Sequence, residues 1–537
     1  MIRVFKVFLV TFLLFFAHTV LSDEKPEMYQ SNSTSGPMYF HSYVQDSPGC
    51  NLTVDNNGEV SFGDKISNPA ATCPDTFAWV LLLNTIKDEF WVKWGNDETL
   101  WPEDPKPMCS KQVTSDCCVV TQQKIYNNKI GYLGTDGVIA QPDNVGGPAT
   151  HCPYIPSDYS TDAETTFAAG NPVSSHSNAF LRVADPGRIT RQQEVEVVYR
   201  NNSFMYYTAQ QDLYSIEGLQ RLFARDSSQA QNSMPFRPLG QSVSYPTDAF
   251  MLKVDWIPEQ VMIDQGYISK NTLVKDRQKY ITIEMNVSTD QGKTYQQGMY
   301  YLLAITAASK ALPNWHWFAF EHVDNLARCD FTGCNDSFGF SHSYQVVDPS
   351  SANGATMVFD SNFVPPHVED DDLQDNVVVF KTGQTYPSGE MSDALAQLFS
   401  KLNVASGSKA DAKKPTISDP AWKNYRLKGT QTQYYENDGY PTLLGASITE
   451  GGFVNTASCL SCHVQAAVND KGRAATGIGS SGRLSMIGLP KMVSGAPSVG
   501  DYYIRGTTTL TGAQVDFVWG ILNANPAKSA INSTKDE

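Results

Sequence analysis

Long apolar runs are scarce in this chain of 537 residues. The one near the start, Val7 to Leu21, covers only 15 residues and includes His18. A membrane-spanning helix needs ~20. Arg3 and Lys6 precede this run, and Val20 and Ser22 close it before Asp23, so residues 1–22 match an export signal. No Cys stands there to take a lipid, and no later stretch is apolar enough to span a bilayer. A soluble mature protein with no stable membrane insertion is expected. Positive charge is scarce too: 40 Lys and Arg face 56 Asp and Glu, a net charge of −16. Such a chain has little with which to neutralise phosphates, which argues against a nucleic-acid partner. Internal repeats, a phosphate-binding loop and a Ser/His/Asp nucleophile set are also missing from the sequence.

Cysteine is present in quantity. Ten Cys in an exported chain are expected to be paired or otherwise occupied, because free thiols do not persist in an oxidising compartment. Cys329 and Cys334, with four residues between them, are the one pair the spacing suggests. Adjacent Cys117 and Cys118 are expected to bond to different partners, with Cys50, Cys73, Cys109 and Cys152 as candidates. A periplasmic or secreted location is implied by the signal and this cysteine usage.

About 515 mature residues are too many for one core and imply two to four domains. Residues 23–240 form a Cys-rich mixed region. Within it, Phe77, Val80, Leu81 and Asn84 have helical spacing behind Asp75, a possible cap. Glu194 to Tyr207 alternates like strands, with Asn201 and Asn202 as a hairpin turn, and Gln210 to Arg225 returns to helical spacing. Residues 241–390 read as β-rich, with strands expected over Phe250–Ile257, Lys279–Val287, Gly298–Ala307 and Trp315–His322. Five acidic residues in seven, Glu369 to Asp375, read as a solvated loop, since an EF-hand's Gly and distal Glu are missing. In residues 391–537, a short helix is expected over Ser392–Leu402 and a last one over Gly512–Leu522, capped by Thr511.

The chemistry-bearing motif is Cys459-Leu460-Ser461-Cys462-His463, the C-x-x-C-H pattern of covalent c-type haem attachment. Two thiols at this spacing can add to the two vinyl groups of a porphyrin. The adjacent imidazole is then carried beneath the ring to ligate iron. A thioredoxin-like redox pair would need a βαβ context, which the surrounding sequence lacks. A zinc site would need a second ligand pair, and Cys329/Cys334 matches poorly. One covalent haem c is therefore the expected cofactor, with His463 as proximal ligand.

For the sixth iron ligand three candidates stand. Met486 and Met492 lie in or near a Pro-bearing loop, where a thioether would raise the potential. His322 ends an aromatic strand on which Trp315, Trp317, Ala319 and Glu321 share one face and His316, Phe318, Phe320 and His322 the other.

The strings Asn424–Gln431, Ser458–His463 and Asp516-Phe517-Val518-Trp519, with Phe320-Glu321-His322-Val323-Asp324-Asn325, resemble a family of large exported bacterial mono-haem cytochrome c-like proteins. The resemblance implies export, one haem and a cytochrome c-like C-terminal domain, and no particular substrate. The expected fold is α+β: Cys-rich and β-rich N-terminal and middle regions followed by a mainly α-helical haem domain from about Met391. The expected function is electron transfer to a redox partner protein. The alternative is a haem-dependent oxidoreductase, peroxidase-like or oxidising a small organic substrate, with an open sixth site served by Glu321, His322 or Arg328.

Overall fold

The computed structural model describes residues 46, 49–109, 117–120, 130–133, 139–140, 148–156, 166–169, 190, 193–232, 243–288, 294–325, 344–347, 357–360, 393–402, 417–435, 442–450, 458–475 and 502–528, apart from a few single positions within those ranges. Its centre is a seven-stranded sheet built from β1 (Thr166–Ala169), β2 (Val195–Arg200), β3 (Phe250–Pro258), β4 (Thr282–Ser288), β5 (Gln296–Ser309), β6 (His316–His322) and β7 (Tyr425–Gln431). The main order is β7-β6-β5-β3-β2, antiparallel throughout. Strand β4 pairs with the first part of β5, and β1 joins β4 in parallel.

β-Branched and aromatic residues favour the pleated conformation. Both faces of the sheet are covered, so β6 and β7 are buried at every position and show no solvent-exposed side. On one face, Leu252, Val254, Ile305, Phe318, Phe320 and Leu427 pack with Ala78, Trp79, Leu82 and Leu83 of α1 (Pro74–Thr85). Trp79 meets Phe320 edge-on at 4.7 Å between ring centroids. On the other face, Met251, Ala308, Trp317 and Ala319 pack with α2 (Asn202–Gln210) and α3 (Ile216–Asn232). Each Val, Leu, Ile or Phe side chain among them, fully buried, contributes roughly 1.5–3 kcal/mol, and each Ala less.

The strands expected in the middle region form, with bounds shifted by up to three residues. The expected hairpin at Asn201–Asn202 does not. Asn201 is the N-cap of α2, its side chain accepting from the Phe204 amide at 3.1 Å, so β2 runs into a helix rather than a second strand. In α1, Pro74 occupies the first turn and Cys73 the cap position, while Asp75 is buried and accepts a hydrogen bond from Thr430. The Ser392–Leu402 expectation appears as α4 (Asp393–Lys401).

Among the described residues, the mainly α-helical haem domain expected from Met391 is not found. Residues 425–431 of that region form β7 and pair with β6 in the large sheet, because their apolar and polar positions are both covered there. The C-x-x-C-H motif lies in a five-residue helix, α5 (Cys459–His463). Chain beyond it enters a two-residue strand pair, Ala467–Val468 with Ala513–Gln514, and the expected last helix is only a 3-10 turn, Trp519–Asn523. The fold is thus mixed, with one large, mainly antiparallel sheet whose strands come from the 23–240, 241–390 and 391–537 segments alike.

Among the described residues, three disulfides are formed: Cys50–Cys73, Cys109–Cys117 and Cys118–Cys152. Cys117 and Cys118 do bond to different partners. Such bonds belong to chains that mature in an oxidising compartment. No helix among the described residues is long and apolar enough to cross a membrane. The signal segment, Cys329, Cys334, Arg328, the 369–375 acidic run, Met486 and Met492 lie outside the described residues.

Candidate functional site

Helix α5 is a single turn, and that is enough for its chemistry. Positions i, i+3 and i+4 of a helix lie on one side, which groups Cys459, Cys462 and His463. Ser458 starts the turn, its Oγ accepting from the Ser461 amide at 3.2 Å. Gln431, the last residue of β7, holds the same end to the sheet. Its Oε1 accepts from the Leu460 amide at 3.0 Å, and its Nε2 donates to Ser458 Oγ at 2.9 Å and to the Thr442 carbonyl at 2.8 Å.

The far end of the turn is held by the C-terminal segment. Trp519 Nε1 donates to the Cys462 carbonyl at 3.2 Å. Tyr502 Oη and Gln514 Nε2 donate to the Val464 carbonyl at 2.6 and 3.0 Å. Carbonyls that a helix end leaves without intrahelical partners are thereby satisfied.

His463 Nδ1 lies 2.8 Å from the Phe517 carbonyl oxygen. A carbonyl only accepts, so Nδ1 carries the proton and Nε2 keeps its lone pair. Nε2 has no hydrogen-bond partner among the described residues. Trp317 of β6 packs against the ring, 4.3 Å between centroids at 45°. Burial, with the charge of Lys253 adding to it, holds the imidazole down at about 3 against the pull of the Phe517 carbonyl. The ring is neutral, as a metal ligand must be.

Cys459 and Cys462 are unpaired thiols. Burial pushes Cys459 well above the usual thiol range and Cys462 up to about 11. Disulfide exchange depends on thiolate, so this pair is poorly suited to redox catalysis of the thioredoxin kind. Among the described residues, no group of three or more His, Cys, Asp or Glu side chains could hold a metal ion. A haem iron does not require one, since the porphyrin supplies four of its ligands.

On the sheet face that carries Trp317, small side chains lie between the larger ones: Trp317, Ala319 and Glu321 of β6 stand opposite Ala308, Thr306 and Ala304 of β5. Gly429 and Gln431 of β7 continue the rows. Thr306 Oγ1 is buried and has no hydrogen-bond partner among the described residues. Further along the same face lie charges. Lys253 pairs with Glu196 at 3.2 Å, and Lys428 with Glu321 at 3.5 Å. Thr449 Oγ1 donates to Asp255 at 3.0 Å. Burial, reinforced by Glu196, raises Asp255 well above the carboxylate range, and burial lifts Glu450 to about 7.

These features fit a covalently held haem: two unpaired thiols at the right spacing, a neutral imidazole with one committed and one open nitrogen, and a face with small side chains and an orphaned hydroxyl. The sixth-ligand candidates fare differently. The face assignment of β6 holds, and α5 packs on the Trp317 side, so His322 points to the opposite face of the sheet. There its Nε2 donates to the Lys279 carbonyl at 2.9 Å and its Nδ1 accepts from the Asp324 amide at 3.0 Å. Tyr280 stacks on it at 4.1 Å, and burial lowers it to about 4. His322 is not brought to the motif. Glu321 does point to the motif's face, but it is tied to Lys428 and to Asn325 Nδ2, the latter at 3.3 Å.

Sequence reasoning missed Phe517, Gln431 and Trp317 as parts of this site. Phe517 acts through its backbone, which no side-chain pattern reports. No protein-family model, curated protein or solved structure matches this chain.

Proposed function

We propose that this chain is a c-type haem protein of the cytochrome c-like kind, in which Cys459 and Cys462 would hold the haem and His463 Nε2 would ligate its iron. Its function is electron transfer outside the cytoplasm, in the periplasm or as a secreted protein, with a redox partner protein. The observation that carries this reading is the His463–Phe517 hydrogen bond beside two unpaired thiols in a chain whose other described cysteines are all in disulfides.

When bound, the haem supplies an iron that changes oxidation state by one electron. The chain's residues do the rest. Ser458 and Gln431 set where the two thiols stand. The Phe517 carbonyl fixes the tautomer of His463 and makes its open nitrogen a stronger donor. Trp317 limits rotation of the ring. This rigidity suits a carrier, which works best when little rearranges between oxidation states.

A second reading has one observation in its favour. Glu450, which burial lifts to about 7, is a carboxyl able to exchange a proton near neutral pH on the motif's side of the sheet, and burial raises Asp255 beside it as well. Such groups suit a haem-dependent oxidoreductase better than a simple carrier.

The test is an optical spectrum of protein matured with the haem-attachment machinery, oxidised and reduced, before and after carbon monoxide. Haem bands that survive acid-acetone extraction, and a reduced spectrum indifferent to carbon monoxide, are expected for the carrier. Carbon monoxide binding would transfer the argument to the enzyme. Absence of haem bands would end both.

A further inference from the structure

Asp516 and Phe517 have φ of 49° and 68°, two successive non-glycine residues in the left-handed region. An Asp tolerates that region; a Phe is rarely found there. Backbone held this way persists only where its surroundings over-determine it, and such sites cluster at functional positions.

What holds it is the Asp516 carboxylate, fully buried. Oδ1 accepts from Lys310 Nζ at 2.6 Å and from Trp315 Nε1 at 3.4 Å, and Oδ2 accepts from the Tyr245 amide at 2.7 Å. Lys310 is itself buried, donates to the Pro313 carbonyl at 2.7 Å and lies 5.5 Å from the Trp315 ring centroid. Lys310 comes just after β5 and Trp315 just before β6, so the anchor is the large sheet. The turn is closed by the Val518 amide on the Val515 carbonyl at 3.1 Å, and the Val515 amide binds the Ala466 carbonyl at 3.0 Å. The product of all this is one carbonyl, that of Phe517, aimed at His463 Nδ1.

A buried ion pair is weak evidence for stability, because desolvating both charges offsets their attraction. Its geometric yield is the better account here. We infer that Asp516, gripped by Lys310, is a positioning residue that sets the tautomer and orientation of His463 through the Phe517 carbonyl. The redox part of this inference rests on haem attachment as proposed for this chain; the tautomer part does not. Losing the clamp frees the carbonyl, weakens the Nδ1 hydrogen bond and makes Nε2 a poorer donor to ferric iron. The midpoint potential then rises.

Two variants test it. Asp516→Asn removes the charge on one side. The pair Lys310→Met with Asp516→Leu removes both charges and most of the polar demand, so no unpaired charge is buried. The readout is the ring ¹⁵N shifts of His463 in the full chain made without haem attachment, assigned with His463→Gln, and then the midpoint potential of the haem-loaded chain. Wild type should show a single Nδ1–H tautomer. Both variants, with disulfides and far-ultraviolet spectrum intact, should show a mixture of tautomers and a positive shift in potential. A folded double variant with the wild-type tautomer and potential would overturn the inference. If the wild-type chain takes up no haem, the haem reading falls, and the ring shifts still decide whether the clamp acts on His463.

Discussion

Gln431 offers the sharpest test of how the sheet and the motif are joined. Its side chain is fully buried and links β7, Thr442, the Ser458 cap and the start of α5. Replacement by Leu keeps the volume and removes every hydrogen bond. Ser458 Oγ would still reach Ser461 Oγ at 3.0 Å, and Thr442 Oγ1 would still donate to the Gln433 carbonyl. The Leu460 amide and the Thr442 carbonyl would lose their bonds to Gln431. Each buried polar group left unsatisfied costs about 1–3 kcal/mol, so the variant should lose about 2–6 kcal/mol. Against a total stability of about 5–15 kcal/mol that is a large fraction. The assay is urea unfolding of the disulfide-intact chain monitored by tryptophan fluorescence, converting the midpoint shift with the measured m-value. The yield of covalent haem should fall as well, because the turn carrying both thiols is no longer held. A loss below about 0.5 kcal/mol, the size of an ordinary surface change, would refute the reasoning.

Three further outcomes are expected. Arg200 is fully buried, pairs with Asp97 at 2.7 Å, and lies 5.6 Å from both the Trp101 and Phe204 ring centroids. Gly520 leaves room for it, since a Cβ there would stand 2.5 Å from Nη2. Asp97 is 34% exposed and can turn to solvent, so Arg200→Met should cost about 1–3 kcal/mol in thermal or urea unfolding, and an unchanged midpoint would show the pair to be dispensable. Burial raises Asp46, helped by Asp75, and Glu450 to about 7 each, from 3.8 and 4.5. The folded chain then keeps protons that the unfolded chain has released. Stability should therefore fall as pH rises from about 4 to about 7, and Glu450→Gln should flatten the slope of a stability–pH series. Cys118 and Cys152 are 34 residues apart, so replacing both by Ser should cost ~4 kcal/mol through the freed unfolded chain, read as a lower urea midpoint.

Some of this is legible in the residues. The strands from Phe250 to His322 show in their β-branched and aromatic content, because that chemistry acts locally on the backbone. The face pattern of the aromatic strand is also readable, since alternation is a property of any strand. It cannot say which face the motif would choose. Trp317 and His322 sit five residues apart on the same strand, yet only one meets His463.

Local signals mislead where long-range packing outweighs them. The Asn201–Asn202 pair suits a turn or a cap equally, and the packing of Phe204 and Met205 against the sheet decides for the cap. The stretch after Met391 carries one amphipathic helix and a familiar motif, which suggests a helical domain. Tyr425–Gln431 instead completes a sheet whose other strands lie over a hundred residues earlier. Disulfide partners obey the same rule: adjacency predicts that Cys117 and Cys118 diverge, but the partners depend on the fold.

By itself, then, the order of residues put Cys459, Cys462 and His463 at the spacing of a haem-attachment pattern, because such a pattern is a property of five successive residues. It determined the acidic balance and the positions of the central strands, which are sums or short-range properties. Only the tertiary structure decided that the motif lies on a sheet, that His322 faces away from it, and that the Phe517 carbonyl meets His463. Those facts depend on contacts between residues far apart in the chain and on backbone groups whose direction no side-chain pattern encodes.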